Sequence, residues 1–297
     1  MGQKTLVESS KRHPHRKRKM PGWASGHFEE SLESLTNLVN VIGASERGIH
    51  VLRAMPHAVK ALAKYRGNAE SSAMSKQLQL AEQQSALANA EIKRDFPVLH
   101  GFAVVALWSW LEHCVKGLVT LWLLHRPEAV RVPAIQKLRV KLGDYIGLDS
   151  KEQAQFLVDL LEQDMASPLR RGANRFESLL DPFGLSGALS RECTRSLFEL
   201  QQVRNAFAHR NGRADRRLCR ECAWLKYKTG KPVQVSGEML RNYTNASGEF
   251  LVALIHRVGG IYVPDVSASS KASPNASLPP SAKVTNSPHT TSQPGTV

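Results

Sequence analysis

The most apolar stretch of the chain runs from Val98 to Leu124 and follows Pro97. Its large apolar residues recur at steps of three and four, which is the spacing of one face of an α-helix. That face consists of Val104, Leu107, Trp108, Leu111, Val115, Leu118 and Trp122. Further apolar residues surround it, so the segment predicts the central and most buried helix of the fold.

Three polar residues interrupt this stretch near its middle: Glu112, His113 and Lys116. A membrane span would not usually tolerate them, and the first residues of the chain contain no apolar secretory signal. We therefore expect a soluble, cytoplasmic protein without a membrane partner. Glu112 and Lys116 stand four residues apart and share a helix face, so the simplest interpretation is an intrahelical ion pair that reaches out to water.

Helical periodicity also dominates the rest of the chain. It predicts helices over 28–42, 46–65 and 71–93 before the central helix, with Pro56 expected to kink or split the second. Shorter helical pieces at 134–142 and 150–164 and an irregular stretch around Gly172 and Pro182 follow. Three further helices are predicted over 187–208, 215–227 and 237–258. Because no alternating strand pattern is present, the predicted fold class is all-α.

Four regions are expected along the chain. They are a disordered basic arm (1–26), an N-terminal helical region (27–96), a main helical domain (97–263, with a longer connection at 126–186) and a disordered tail (264–297). The tail is rich in Ser, Thr, Pro and Asn, which cannot bury enough apolar surface to offset the entropy of ordering.

The chain carries a formal net charge of +14 with a pI of about 9.9. The first 22 residues account for +6 of that charge and the tail for +1, so the body between them is also basic, at +7. A basic body favours a polyanionic partner such as nucleic acid.

Four cysteines in 297 residues do not form a disulfide framework. Cys219 and Cys222 have the Cys-x-x-Cys spacing of metal or redox sites, but no second such pair completes a tetrahedral site. We interpret them as core cysteines and expect neither a metal nor a cofactor. No phosphate-binding glycine loop and no nucleophile elbow is present, which disfavours kinases, NTPases and serine hydrolases.

The most informative polar residues lie at the end of the helix predicted over 187–208. Arg204, Asn205 and His209 fall within two turns of each other, and the helix is expected to stop at Asn211-Gly212. These side chains could bind and cleave a phosphodiester, or they could simply be solvated. Four arginines surround them and are candidate RNA contacts: Arg210, Arg213, Arg216 and Arg217.

The pattern Arg204-Asn205-x-x-x-His209, followed by Asn211-Gly212, resembles the signature of HEPN domains. These are all-α modules found in RNA-cutting toxins, abortive-infection proteins and RNA-processing enzymes. Many nuclease members also carry Glu-x3-Lys on an earlier core helix, and Glu112-x3-Lys116 has that spacing. The resemblance covers about residues 97–260.

The resemblance implies metal-independent endoribonuclease activity that leaves a 2′,3′-cyclic phosphate and a 5′-hydroxyl. His209 would move protons, Arg204 would stabilise charge on the phosphate, and Asn205 would orient them. Arg204 lies about 140° around a straight helix from His209 and is not expected to converge well with it within one chain. The family's solution is a homodimer with a composite site, supported here by Glu112 and Lys116.

Such an enzyme would be a toxin or antiphage effector, with RNA as substrate and an antitoxin or other regulatory protein as a further partner. Two alternatives remain open. One is a non-catalytic HEPN-like module that binds RNA or protein, and the other is a helical scaffold in which Arg204 and His209 only help to end a helix.

Overall fold

The computed structural model describes residues 19–67, 71–165 and 171–262. The predicted tail and the first eighteen residues of the predicted arm lie outside the described residues. Within the described ranges the chain forms ten α-helices and three short 3-10 helices without a named strand, which confirms the all-α class. The helices are α1 (Gly22–Arg66), α2 (Ser72–Lys93), α3 (Pro97–His125), α4 (Pro133–Gln136), α5 (Leu142–Ile146), α6 (Ser150–Asp164), α7 (Ala173–Leu180), α8 (Arg191–Arg210), α9 (Arg216–Glu221) and α10 (Gly237–Tyr262).

Helix α3 is the centre of the fold, as its apolar pattern predicts. Helices α1, α6, α7, α8 and α10 all pack against it, and Trp108, Val115 and Leu118 are completely buried. Pro97 occupies the first turn, where its missing N–H costs no helical hydrogen bond. Helix α3 is also long and apolar enough to cross a membrane by length and composition alone, with 56% of its most apolar window buried inside the protein.

Helix α1 differs from the sequence prediction in two ways. It begins at Gly22, inside the predicted disordered arm, and it continues through Pro56 as one helix of 45 residues. Pro56 removes the amide that would bond the Leu52 carbonyl, but the surrounding turn is mostly exposed to solvent. Ser85 of α2 donates a hydrogen bond to the neighbouring Arg53 carbonyl at 2.9 Å, so α2 supports α1 at this point.

Helix α2 packs along α1 through a narrow stripe. Its buried residues, Met74, Ala81 and Ala88, are seven apart and form one face. Where α1 meets α3, the buried ring of His100 joins three parts of the chain. Its Nδ1 donates to the Val235 carbonyl at 3.0 Å, and its Nε2 lies 2.9 Å from a carboxylate oxygen of Glu46.

Helix α8 carries the candidate residues, and both of its ends are well defined. Ser190 caps the start by accepting a hydrogen bond from the Cys193 amide, and Asn211 ends the helix in the left-handed conformation with φ of 50°. The helix therefore runs two residues beyond its predicted end at Ala208. Its last turn lies against the start of α3, where Phe207 packs directly onto Gly101.

Candidate functional site

The last two turns of α8 bring Arg204, Asn205 and His209 into contact. The Arg204 guanidinium donates from Nη1 to Asn205 Oδ1 at 3.3 Å and to His209 Nε2 at 3.2 Å. All three residues therefore meet at one nitrogen. The expectation that Arg204 and His209 do not converge within one chain is wrong, because the long arginine side chain spans the angle that separates the two positions on the helix.

This contact assigns the tautomer of His209. A guanidinium can donate hydrogen bonds but cannot accept them, so Nε2 of His209 must be the acceptor. The imidazole is then neutral, with its proton on Nδ1. His209 is exposed to solvent, whereas Nε of Arg204 is buried and makes no hydrogen bond with any described residue. The histidine is thus accessible to a ligand, and the arginine is partly buried.

A surface pocket of about 260 Å³ opens beside His209. Its lining residues are Gln202, Asn205, His209, Arg210, Asp215 and Arg217. Four of these residues come from the sequence prediction; Gln202 and Asp215 do not. Asp215 could have been identified from the sequence, because Asp is a preferred residue before the first turn of a helix. In the structure its carboxylate caps the short helix α9 by accepting from the Leu218 amide at 2.7 Å.

The four predicted RNA-contacting arginines fall into two groups. Arg210 and Arg217 line the pocket and pair loosely with carboxylates, at 3.9 Å to Asp215 and 3.3 Å to Glu221 respectively. Arg216 is exposed on α9, next to the pocket. Arg213 points elsewhere and donates to the Gly230 carbonyl at 2.9 Å. Arg213 therefore holds the loop together, while the other three remain available for a polyanion.

The loop after α8 supports this arrangement. Residues 213 and 232 form an isolated antiparallel bridge. The region 210–231 holds eight Lys and Arg residues against two carboxylates. Such an excess of positive charge beside an open pocket favours an anionic ligand.

Glu112 and Lys116 lie in a different part of the fold. Glu112 pairs with Arg175 of α7 at 2.9 Å, and Lys116 pairs with Glu162 of α6 at 2.5 Å and Asp159 at 3.3 Å. Arg175 also contacts Glu162, at 2.6 Å, so the five side chains form one continuous network. The predicted direct pair between Glu112 and Lys116 is replaced by partners on two neighbouring helices.

This network does not join the site at the end of α8. Phe207 packs on Gly101, and Glu112 lies eleven residues further along α3, which corresponds to about 16 Å of helix. The partners of Glu112 and Lys116 lie on α6 and α7, and no contact joins them to Arg204, Asn205 or His209 among the described residues.

Electrostatics within this network favours the charged forms. Burial raises the pKa of Glu162, but hydrogen bonds from Lys116 and Arg175 outweigh burial and leave that pKa below its ordinary value. Burial lowers the pKa of Lys116, but Glu162 and Asp159 overcome this and raise it. The network is therefore a brace between α3, α6 and α7.

The sequence does not identify Arg175 as a partner of Glu112, because the region that forms α7 is expected to be irregular. The helix is short and lies between Gly172 and the proline of the following turn. Its apolar residues, Phe176, Leu179 and Leu180, have helical spacing and are buried. That spacing was a usable signal, but the flanking glycine and proline obscured it.

The cysteines agree with a core role. Cys114, Cys193 and Cys222 are buried, Cys219 is half-buried, and no group of three metal-binding side chains occurs in the part of the chain that the structure describes. Burial raises the pKa of Cys114 to about 11 and of Cys222 to about 12. Such thiols are poor nucleophiles and poor metal ligands near neutral pH.

Comparisons of this chain with protein-family models, with curated proteins and with solved structures found no match.

Proposed function

We propose that this protein is a HEPN-type, metal-independent endoribonuclease that acts as a homodimer in the cytoplasm. The observation that carries the proposal is the single guanidinium of Arg204 contacting both His209 Nε2 and Asn205 Oδ1 at an open pocket with a basic rim. A histidine that can accept a proton, an arginine cation and an amide suit the attack of a ribose 2′-hydroxyl on the neighbouring phosphate.

The proposed reaction begins when an RNA phosphate replaces His209 as the partner of Arg204. Nε2 of His209 is then free to take the proton of the ribose 2′-hydroxyl. The 2′-oxygen attacks phosphorus, the bond from phosphorus to the 5′-oxygen breaks, and the leaving oxygen receives a proton. The products are a 2′,3′-cyclic phosphate and a 5′-hydroxyl, and Arg204 stabilises the charge on the phosphate during the transfer.

The homodimer supplies the second proton-transfer group. Within one chain the pocket offers one histidine, whereas the reaction needs a base for the 2′-hydroxyl and an acid for the leaving oxygen. A second copy of the α8 end facing the first would provide that acid as a second His209. Glu112 and Lys116 would then act on catalysis only by bracing the helices.

The donor set of the pocket supports the metal-independent chemistry. Its one lining carboxylate is Asp215, which already accepts the Leu218 amide and lies 3.9 Å from Arg210. Hard cations such as Mg²⁺ are usually held by several oxygen ligands, including carboxylates. The pocket is better suited to a phosphate group than to a cation.

The decisive experiment is cleavage of single-stranded RNA by the purified protein in EDTA, followed by analysis of the product ends. We expect His209→Ala and Arg204→Ala each to lower the rate at least about 100-fold, as is usual for loss of a general acid–base or charge-stabilising group. Matched controls are His256→Ala and Arg191→Ala, which remove an exposed histidine on α10 and an exposed arginine at the other end of α8. Cleavage that survives both site substitutions would refute the proposal.

The alternative function is RNA binding without catalysis, and the basic rim favours it independently of His209. In that case His209→Ala leaves RNA affinity unchanged and no cyclic phosphate forms. Affinity then falls steeply with salt, because binding releases counterions from the phosphates. Salt-insensitive capture of a regulatory protein instead of RNA would indicate a protein-binding module.

A further inference from the structure

A second cavity lies on the neighbouring face of the α8 end. It is a groove of about 450 Å³ between the start of α3 and the last turn of α8. Its walls include Val98, Phe102 and Val105 from α3, and Phe207, Ala208 and Asn211 from α8. The groove is thus mainly apolar, unlike the polar pocket beside His209.

Phe102 is conspicuous within this groove because it takes little part in the core. Its side chain is 72% exposed, whereas its neighbour Gly101 is buried beneath Phe207. Val98, one turn earlier, is 55% exposed. An exposed aromatic ring beside a cavity is a surface that can bind a flat apolar ligand.

The position of the groove relative to the proposed catalytic pocket is fixed by α8. Ala208 and Asn211 line the groove, while Asn205 and His209 line the pocket. Successive residues turn by about 100° around a helix, so the two cavities occupy adjacent faces of the same two turns. Arg204 starts on the groove side and reaches His209 on the pocket side. Its guanidinium is therefore the group that joins the groove side of the helix to the pocket side.

We propose that the groove binds the base of a nucleotide adjacent to the scissile phosphate, with Phe102 stacking on its face. This inference rests on the proposed ribonuclease function and specifies its substrate as single-stranded RNA. The phosphate lies at Arg204, one base enters the groove, and the reacting ribose faces His209. A base buried in a duplex could not reach Phe102, so a paired strand is excluded.

Charge and size favour a nucleotide over a protein occupant. Exposed Arg94 and Gln234 line the groove and offer a cation and an amide to the polar edge of a base. The adjoining loop carries the positive charge of residues 210–231. A cavity of this volume falls within the range of small-ligand sites, whereas a stable protein interface needs a much larger surface.

The test uses the full-length protein and a short single-stranded oligonucleotide with 2′-deoxyribose sugars, which cannot form a cyclic phosphate. A 2-aminopurine base is placed at each position in turn, because stacking quenches its fluorescence. We expect quenching at one position, and we expect Phe102→Ala to abolish it and weaken binding about 5- to 150-fold. Phe102→Tyr should retain both, and Val252→Ala, which removes an exposed apolar side chain on α10, should change neither.

An abasic linker at the quenched position completes the test. It should weaken binding to the wild-type protein by the same factor and have no further effect on Phe102→Ala. The inference is overturned if Phe102→Ala binds as well as wild type, or if its effect is the dissociation of a dimer. If the protein cleaves RNA but shows no quenching that depends on Phe102, the base-binding site is refuted and the ribonuclease function is not. If quenching depends on Phe102 but no RNA is cleaved, the ribonuclease function is refuted and the base-binding site is not.

Discussion

Replacing Gly101 by alanine tests how closely α3 and α8 must approach. A β-carbon on Gly101 would lie 2.2 Å from Cε1 of Phe207, whereas carbon atoms in contact are about 3.5 Å apart. The ring would have to move by more than about 1 Å. Overpacking of this kind destabilises a protein by about 1–3 kcal/mol, and the higher helix propensity of alanine offsets about 1 kcal/mol of that loss. We expect Gly101→Ala to lower the free energy of unfolding by up to about 2 kcal/mol.

The matched control is Gly248→Ala in α10. Gly248 also lies inside a helix, but a β-carbon there meets no atom within 4 Å. The same substitution should therefore stabilise the protein by about 0.5–1 kcal/mol. Urea unfolding of both variants, followed by circular dichroism, measures the difference in sign.

A double substitution isolates the contact itself. When Phe207→Ala removes the ring, the added methyl group at Gly101 no longer meets it, and Gly101→Ala should become neutral or stabilising in that background. If Gly101→Ala stabilises the otherwise unchanged protein as much as Gly248→Ala does, the close approach of the two helices is refuted. Because Phe207 lies two residues before His209, RNA cleavage should also fall in the clashing variant.

Three further outcomes follow from the structure. Glu162→Gln should cost about 1–2 kcal/mol at pH 7, since it leaves half-buried Lys116 with one carboxylate partner. Because folding lowers the pKa of Glu162, this stabilisation is present above the ordinary pKa of a carboxylate and is lost as pH falls through the lowered pKa, which pH-dependent urea unfolding measures. Asn211→Ala should lower the unfolding free energy by about 1 kcal/mol, whereas Asn211→Gly should not, because the φ of 50° at this position is strained for alanine and free for glycine. Thermal melts distinguish the two variants, and equal melting temperatures would contradict this explanation. Native protein treated with a thiol reagent at pH 8 should be labelled at Cys219 alone, because the other three cysteines are buried: Cys114, Cys193 and Cys222. Mass spectrometry identifies the labelled residue. Rapid labelling of a buried cysteine would show that the core opens.

The sequence predicts the helical elements well where apolar residues have a clear period. It identifies α3 as the core helix, and it places α2, α6 and α10 within a few residues of their observed ends. The prediction that Pro56 kinks or splits its helix is wrong, because a mostly exposed helix can accommodate the proline ring. It also fails at α7, where the flanking glycine and proline obscure the helical spacing of two turns.

The candidate site is predictable in part, for reasons that are also physical. Residues on one helix end, such as Arg204 and His209, are close in space because they are close in sequence. Their direct contact depends on the rotamers of the long Arg204 side chain, which helix geometry alone does not give. Glu112 and Lys116 share a helix face as predicted, but their partners come from α6 and α7, which no local pattern identifies. Phe102 looks like a core residue in the sequence, and only the packing leaves it exposed.

The hairpin of α1 and α2 has a consequence for how this protein opens. Beyond His50, the buried side chains of the two helices are Ala63, Met74, Ala81 and Ala88. Alanines bury little apolar area, so this half of the hairpin gains far less free energy from packing than the turns of α1 that meet α3. Its amides should exchange with deuterium through local opening, well before those of α3. We therefore expect the outer hairpin to open as a separate cooperative unit, whose stability a global unfolding experiment would not measure.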